Sequence, residues 1–192
     1  LDQPEVDLKN PMTQKALEYV LSKKQDDGGL YDKNVPGLDN YNTSICLSAL
    51  SRVNQQPGVP ELIKKAQDYL RGMQWSGQTD PKGVAVDENH PFYGGSGYGK
   101  WGRPDLSNTQ MMIQGLHDSG LDCNDPAYQR ALVFITRCQA TQSNTKYKDQ
   151  IEPDGGFIYA TSENKDKIGT PQTFADGTPK ETGTTRLATY GT

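Results

Sequence analysis

One pattern occurs three times along this chain of 192 residues and limits its possible folds more than any other feature. Each copy has an alanine, an apolar stretch and a glutamine, and two copies continue into Asp-Gly-Gly. The fifth and fourth residues before the glutamines Gln25, Gln74 and Gln139 are Val20 and Leu21, Tyr69 and Leu70, and Phe134 and Ile135. Apolar residues at helical spacing predict one buried helix face. The glycines that follow favour the end of a helix.

A second type of helix is predicted after each of the first two copies. Asn42-Thr43 precedes Ala49-Leu50 and Asn108-Thr109 precedes Gly115-Leu116, with the same spacing. Asn and Thr before an apolar run are typical N-cap residues. Strand-like alternation is absent over any useful length. The sequence therefore predicts an all-α fold of αα-hairpins in one domain, with units at about 13–55, 60–120 and 126–192.

The third unit is expected to be incomplete. Tyr190-Gly191-Thr192 is similar to Tyr41-Asn42-Thr43, where the second helix of the first unit is predicted to begin. A repeat helix without its neighbour leaves an apolar face uncovered. We therefore expect about two and a half hairpins that belong to a longer protein.

Three stretches resemble the prenyltransferase/squalene-oxidase repeat family, in particular bacterial members without an assigned activity. They are Gln25–Tyr31, Asp154–Tyr159 and Tyr93–Thr109, and the resemblance covers residues from about 13 to 192. It implies an α/α toroid in which outer and inner helices alternate around a cavity. It also implies a ligand-binding or protein-binding scaffold, with the rest of the toroid or another protein as its partner.

The catalytic motifs of the enzymes in this family do not occur in the sequence. The Asp-x-Asp-Asp acid of triterpene cyclases has no counterpart, since Asp26-Asp27 and Asp87-Glu88 lack a third carboxylate. The Asp, Cys and His zinc ligands of protein prenyltransferases are also missing, so we predict neither a metal nor a cofactor. Two alternatives stay open: an isoprenoid enzyme of the terpene cyclase or prenyltransferase type whose catalytic residues lie in a missing half of the toroid, and a carbohydrate-active toroid lyase or hydrolase.

Two aspartates occupy matching positions and are candidate ligand-binding residues. Asp39 lies four residues before Thr43, and Asp105 lies four residues before Thr109. A carboxylate at the start of a helix is favoured by the helix dipole and by capping. The alternative is a polar rim that binds a ligand or a cation.

The long loop at about 75–105 is the other candidate site. Its glycines allow tight turns, and its aromatic and charged residues suit a sugar, an anionic group or self-packing. The candidate binding residues are His90, Tyr93, Tyr98, Trp101 and Arg103. The glycines do not form a phosphate-binding motif, because no strand precedes them.

Composition restricts the partners and leaves the compartment open. The net charge is −4 and the isoelectric point is about 5.2, which disfavours nucleic-acid binding. No apolar run approaches the roughly 18 residues of a membrane span. The chain begins with Leu1, and a processed, exported protein is one interpretation. Cys46 is predicted to be buried, and a Cys123–Cys138 disulfide remains open.

Overall fold

The computed structural model describes residues 8–144 and 155–161, and all of their regular structure is helical. The five helices are α1 (Pro11–Ser22), α2 (Asp39–Ser51), α3 (Val59–Met73), α4 (Leu106–Asp118) and α5 (Pro126–Cys138). Only isolated β-bridges occur in the described ranges. The predicted all-α fold is confirmed. No helix in these ranges is long and apolar enough to cross a membrane. Asp154 and Tyr190–Thr192, on which parts of the sequence prediction rest, lie outside the described residues.

Helices α1, α3 and α5 are the first helices of the three units, and α2 and α4 are the second helices of units one and two. Each first helix has a proline within its first two positions, where the missing N–H costs no hydrogen bond. The side chains of Asn10 and Asp125 cap α1 and α5 by accepting from Met12 N and Ala127 N. The second helices, α2 and α4, have no proline at their first two positions.

The main core lies where α3 packs across α2 and α4. Leu47 and Leu50 of α2 are fully buried, as are Leu70 of α3 and Leu116 of α4. Burying one such side chain contributes about 1.5–3 kcal/mol. The most extensive helix contact is between α2 and α4. Gly115 permits it, because a Cβ there would lie 2.6 Å from the carbonyl oxygen of Ser44.

A glycine turn joins each first helix to the next segment, and its contacts correct the sequence alignment. The backbone N–H of the residue before the turn donates to the second glycine in every unit: Gln25 to Gly29, Trp75 to Gly95 and Ala140 to Gly156. Gln25 therefore corresponds to Trp75 and not to Gln74. The alignment on Gln25 is wrong by one residue, because Lys24 occupies the position of Gln74 and Gln139 in unit one.

The corrected alignment places three aromatic residues at one position: Tyr19, Tyr69 and Phe134. Tyr69 is half-buried and Phe134 is fully buried, whereas Tyr19 is 64 % exposed. Leu21, predicted on the buried face of α1, is 37 % exposed. The prediction was wrong here because it counted back from a glutamine that is one residue out of register.

The sequence predicted N-caps at two Asn-Thr pairs, and this prediction was wrong. Asn42-Thr43 and Asn108-Thr109 lie inside α2 and α4, near their starts. The cap residues are Leu38 and Asp105. The two threonines instead hold the glycine turns. Thr43 Oγ1 accepts from Leu30 N at 2.9 Å, and Thr109 Oγ1 accepts from Ser96 N at 3.0 Å. The two donors, Leu30 and Ser96, and the two threonines are all buried, so each hydroxyl satisfies a backbone N–H that water cannot reach.

In units one and two, the first glycine of the turn also touches the first helix of the next unit. A Cβ on Gly28 would lie 2.7 Å from the carbonyl oxygen of Lys65, and one on Gly94 would lie 1.8 Å from that of Arg130. Both glycines have a positive φ, of 93° and 84°. Lys65 and Arg130 each lie nine residues before the helix-ending glutamine. The same contact therefore joins unit one to unit two and unit two to unit three.

We expect Gly94→Ala to destabilise the protein much more than Gly120→Ala. Gly120 has a similar φ of 78°, but within residues 8–144 and 155–161 nothing lies within 4 Å of its Cβ position. Left-handed backbone costs either alanine about 1–2 kcal/mol. Overpacking against Arg130 adds about 1–3 kcal/mol at residue 94. Urea unfolding of both variants measures the difference, and equal losses would contradict the proposed contact.

Candidate functional site

Asp105 is buried at the start of α4 and acts as its N-cap. Its Oδ1 accepts from Asn108 N at 2.8 Å and its Oδ2 from the Asn108 side-chain amide at 2.7 Å. The residue is 5 % exposed. Nearby, the pKa of Tyr159 is raised to about 12 by burial and by the charge of Asp105. The carboxylate is therefore engaged within the protein, as the capping interpretation predicts.

Asp39 is the first residue of α2 and takes part in a cluster of tyrosines and carboxylates. Tyr69 OH donates to Asp39 Oδ2 at 3.1 Å, and Tyr31 OH donates to Asp27 Oδ2 at 2.7 Å. The rings of Tyr31 and Tyr69 stack with centroids 5.9 Å apart. Asp39 stands in the first turn without capping α2, where its charge still favours the helix dipole.

Both tyrosines of this cluster hold their protons more tightly than usual. The hydrogen bond to Asp27 is the main cause that raises the pKa of Tyr31, which reaches about 12. Burial and the charge of Asp39 raise the pKa of Tyr69. The phenols therefore stay neutral donors at ordinary pH, and the cluster joins the turn of unit one to α3 of unit two.

The first half of the long loop folds around its own aromatic rings. The His90 ring stacks on Trp75 with centroids 5.4 Å apart, while Phe92 and Trp101 contact Trp75 edge-on at 5.0 and 5.2 Å. His90 is 5 % exposed, its Nδ1 accepts from Phe92 N, and its Nε2 lies 3.7 Å from Asp80 Oδ2. The rings of His90 and Trp101 thus fill a small core of the loop. Tyr93 packs half-buried against the same core.

The second half of the loop covers the start of α2. The Tyr98 carbonyl accepts from Asn40 N and Tyr41 N, at 3.0 and 3.2 Å, and Asn40 Nδ2 donates to Gly97 O at 2.6 Å. These contacts satisfy helix N–H groups that have no partner within the helix. The Tyr98 ring lies on Tyr41 and is 45 % exposed. Arg103 Nε donates to Thr161 O at 3.0 Å.

The structure therefore divides the predicted site residues among several places. Tyr98 lies near Asp39, because its neighbour Gly99 approaches Asp39 Oδ1 closely enough to exclude a Cβ. His90 and Trp101 lie together in the core of the loop. Arg103 is two residues from Asp105 and is exposed. No single cavity collects all seven candidate residues among the described atoms.

An open groove between α2 and α4 was missed by the sequence analysis. Its volume is about 460 Å³, within the range of small-molecule sites. The lining residues are Ser44, Ile45, Ser48, Ala49 and Arg52 of α2 and Met111, Gln114 and Gly115 of α4. Ile45 is 43 % exposed, which is unusual for an isoleucine beside a helix contact. The sequence signal that could have located this groove is the constant spacing of 66 residues between equivalent positions of α2 and α4, such as Ile45 and Met111.

A polar network closes one end of this groove. Ser48 Oγ donates to Asp118 Oδ2, and Gln114 Nε2 donates to Asp118 Oδ1 at 2.6 Å. These bonds lower the pKa of Asp118, with the hydrogen bond from Ser48 as the largest cause. The groove thus combines an apolar wall with a charged, hydrogen-bonded end.

Cysteines and acidic groups in the described residues show no arrangement that would bind a metal. No group of three or more His, Cys, Asp or Glu side chains is close enough to do so within residues 8–144 and 155–161. Cys123 is exposed, Cys138 is buried and both are free, so the possible disulfide between them is not formed. Cys46 is half-buried, less than predicted. His117 is exposed near the end of α4.

The chain was compared with protein families, with curated proteins and with solved structures. None of the three comparisons found a match.

We expect the stability of the protein to fall between about pH 10 and pH 12. Tyr31 has a folded-state pKa raised above its unfolded value of about 10. Its stabilising effect is therefore complete below pH 10 and is lost as the pH rises through the folded value. In Tyr31→Phe, the urea midpoint should fall less steeply over this window than in the wild type.

Asp27→Asn provides the companion measurement, because it removes the charge that holds the Tyr31 proton. It should flatten the pH dependence in the same way. If both variants retain the wild-type slope, the pair does not link ionisation to folding.

Proposed function

We propose that this chain is a binding scaffold of the prenyltransferase/squalene-oxidase repeat type, part of an α/α toroid, that takes a ligand into the groove between α2 and α4. The observation that carries the proposal is the apolar wall of that groove, where Ile45 and Met111 occupy equivalent positions on adjacent helices. Exposed apolar side chains that line a concave surface are a common feature of ligand sites.

The groove favours an elongated, mainly apolar ligand with one polar group. Ile45, Ala49 and Met111 offer apolar contacts, whereas Ser48 and Gln114 present polar atoms at the Asp118 end. Such a ligand would place its chain along the helices and its polar group at that end. An isoprenoid chain with a terminal polar group has this shape and is consistent with the family resemblance.

A role in binding is also consistent with how the other candidate residues are used. The Asp39 and Asp105 carboxylates accept hydrogen bonds from Tyr69 and Asn108. A general acid or base must instead reach a substrate atom directly or through one water. The rings of His90 and Trp101 each contact the ring of Trp75. A glycan would need such rings on an open surface, so the observations favour the apolar groove.

The test is a titration of the protein with a fluorophore-labelled farnesyl chain. The measured quantity is the fluorescence emission of this probe. We expect saturable binding to the wild type and at least tenfold weaker binding to Ile45→Glu. Contact with an isoleucine side chain is worth about 1.5 kcal/mol or more, and each 1.4 kcal/mol is a factor of ten. The matched control is Val84→Glu, since Val84 is similarly exposed but lies in the long loop.

Equal affinities of the wild type and Ile45→Glu would refute the groove as the binding site. Displacement of the probe by a neutral oligosaccharide, with no effect of Ile45→Glu, would favour the carbohydrate alternative. Absence of binding by the wild type would contradict the proposed ligand class.

A further inference from the structure

The two ends of the helix stack carry apolar grooves at matching places. The head groove lies between α1 and α2, has a volume of about 380 Å³ and includes Met12, Ala16, Leu17 and Ala49. The tail groove lies between α4 and α5, has a volume of about 250 Å³ and includes Leu106, Gln110, Ile113 and Ile135. Each groove thus lies between a first helix and a second helix.

The contact between α2 and α4 explains why these grooves match. Residues of α4 correspond to residues of α2 with an offset of 66, as Asp105 does to Asp39 and Thr109 to Thr43. Helix α2 contacts α4 through Ser44, and α4 contacts α2 through Gly115. The equivalent of Ser44 is Gln110, in the tail groove. The equivalent of Gly115 is Ala49, in the head groove.

The first helices show the same relation. Ala66 and Ala131 are completely buried, and Ala131 N lies 3.3 Å from the Cβ position of Gly94 in the preceding turn. Their equivalent in α1, Ala16, is exposed. Its neighbour Tyr19 is 64 % exposed, although the equivalent Tyr69 and Phe134 pack against Gly29 and Gly95. Helix α1 therefore presents the surface that a preceding glycine turn covers in the other units.

The glycine turn of unit three presents the complementary surface. Gly155 has a φ of 82°, which is similar to the positive φ values of Gly28 and Gly94. The first two glycines each touch a carbonyl of the next first helix, whereas no atom of the described residues lies within 4 Å of the Cβ position of Gly155. The residue of α1 that corresponds to Lys65 and Arg130 is Lys15.

We propose that a second copy of this chain docks head to tail, so that its α1 and α2 pack on the turn at Gly155 and on α4. The contact repeats the one between successive units: Ala49 of one copy meets Gln110 of the other, and Lys15 meets Gly155. Because the two surfaces differ, the association is heterologous and closes into a ring only if the rotation permits. The inference goes beyond the proposed function. Ala49 lines both the head groove and the α2–α4 groove, so the association is tested by molar mass and not by ligand binding.

A second copy fits these surfaces better than an unrelated partner because every position in the contact has a counterpart inside the chain. The head offers small residues, Ala16 and Ala49, where units one and two use Ala66 and Gly115. The tail offers an open glycine turn and the apolar residues Leu106 and Ile113. A small ligand would occupy one groove but would not explain the match between the two.

The experiment measures molar mass by light scattering across a concentration series from micromolar upward. The wild type should rise from 21.2 kDa to at least twice that mass. Ala49→Arg blocks the head and Gln110→Arg blocks the tail, and both residues are exposed on helices. Each variant alone should remain monomeric, whereas their equimolar mixture should form dimers through the one head and the one tail that are intact.

Val84→Arg is the control, since its side chain is exposed in the long loop away from both grooves, and it should associate like the wild type. Circular dichroism verifies that all three variants are folded. A wild type that stays at 21.2 kDa overturns the proposal. A mixture of Ala49→Arg and Gln110→Arg that stays monomeric, while the wild type associates, also overturns it, because the contact would then not join head to tail.

Discussion

The arrangement of the helices depends on a contact between backbone atoms that only glycine allows. Gly28 and Gly94 sit directly against the carbonyls of Lys65 and Arg130, in a left-handed conformation that other residues rarely adopt. A threonine one turn inside the following helix holds the same turn from the other side. The turn is therefore fixed between two helices, and this fixes the spacing of successive units. Gly115 plays the same role for α2 and α4.

This way of packing decides which polar groups remain available to a ligand. The turns bring Asp39 next to Tyr69, and Asp105 caps α4, so both carboxylates have partners within the protein. The long loop continues the second glycine turn, covers the start of α2 and buries its own His90 and Trp75. The faces of α2 and α4 around Ile45 and Met111 are left open. The proposed binding function therefore lies on the second helices, away from the conspicuous residues of the loop.

The sequence predicted the helices well, because their signals are local. Apolar spacing and the glycines that follow located the first helices, and the Asn-Thr pairs before apolar runs located α2 and α4. The glutamine alignment failed, since Lys24 stands in unit one where the other units have Gln74 and Gln139, and Gln25 follows one residue later. Thr43 was assigned to a cap because the same residue type serves both caps and tertiary contacts. The loop was the preferred site because a buried aromatic cluster and an open aromatic site have the same composition. Ile45 was missed because exposure depends on how α2 packs against α4.

Native-state hydrogen exchange at the amides of Leu30 and Ser96 tests this arrangement most directly. Both residues lie outside helices, yet each donates its N–H to a buried threonine hydroxyl where a glycine turn meets a second helix. If the turns are fixed as described, these amides should exchange as slowly as the most protected amides of α2 and α4, through global unfolding. Exchange at the rate of exposed loop amides, while the helices stay protected, would contradict the contact on which the repeat depends.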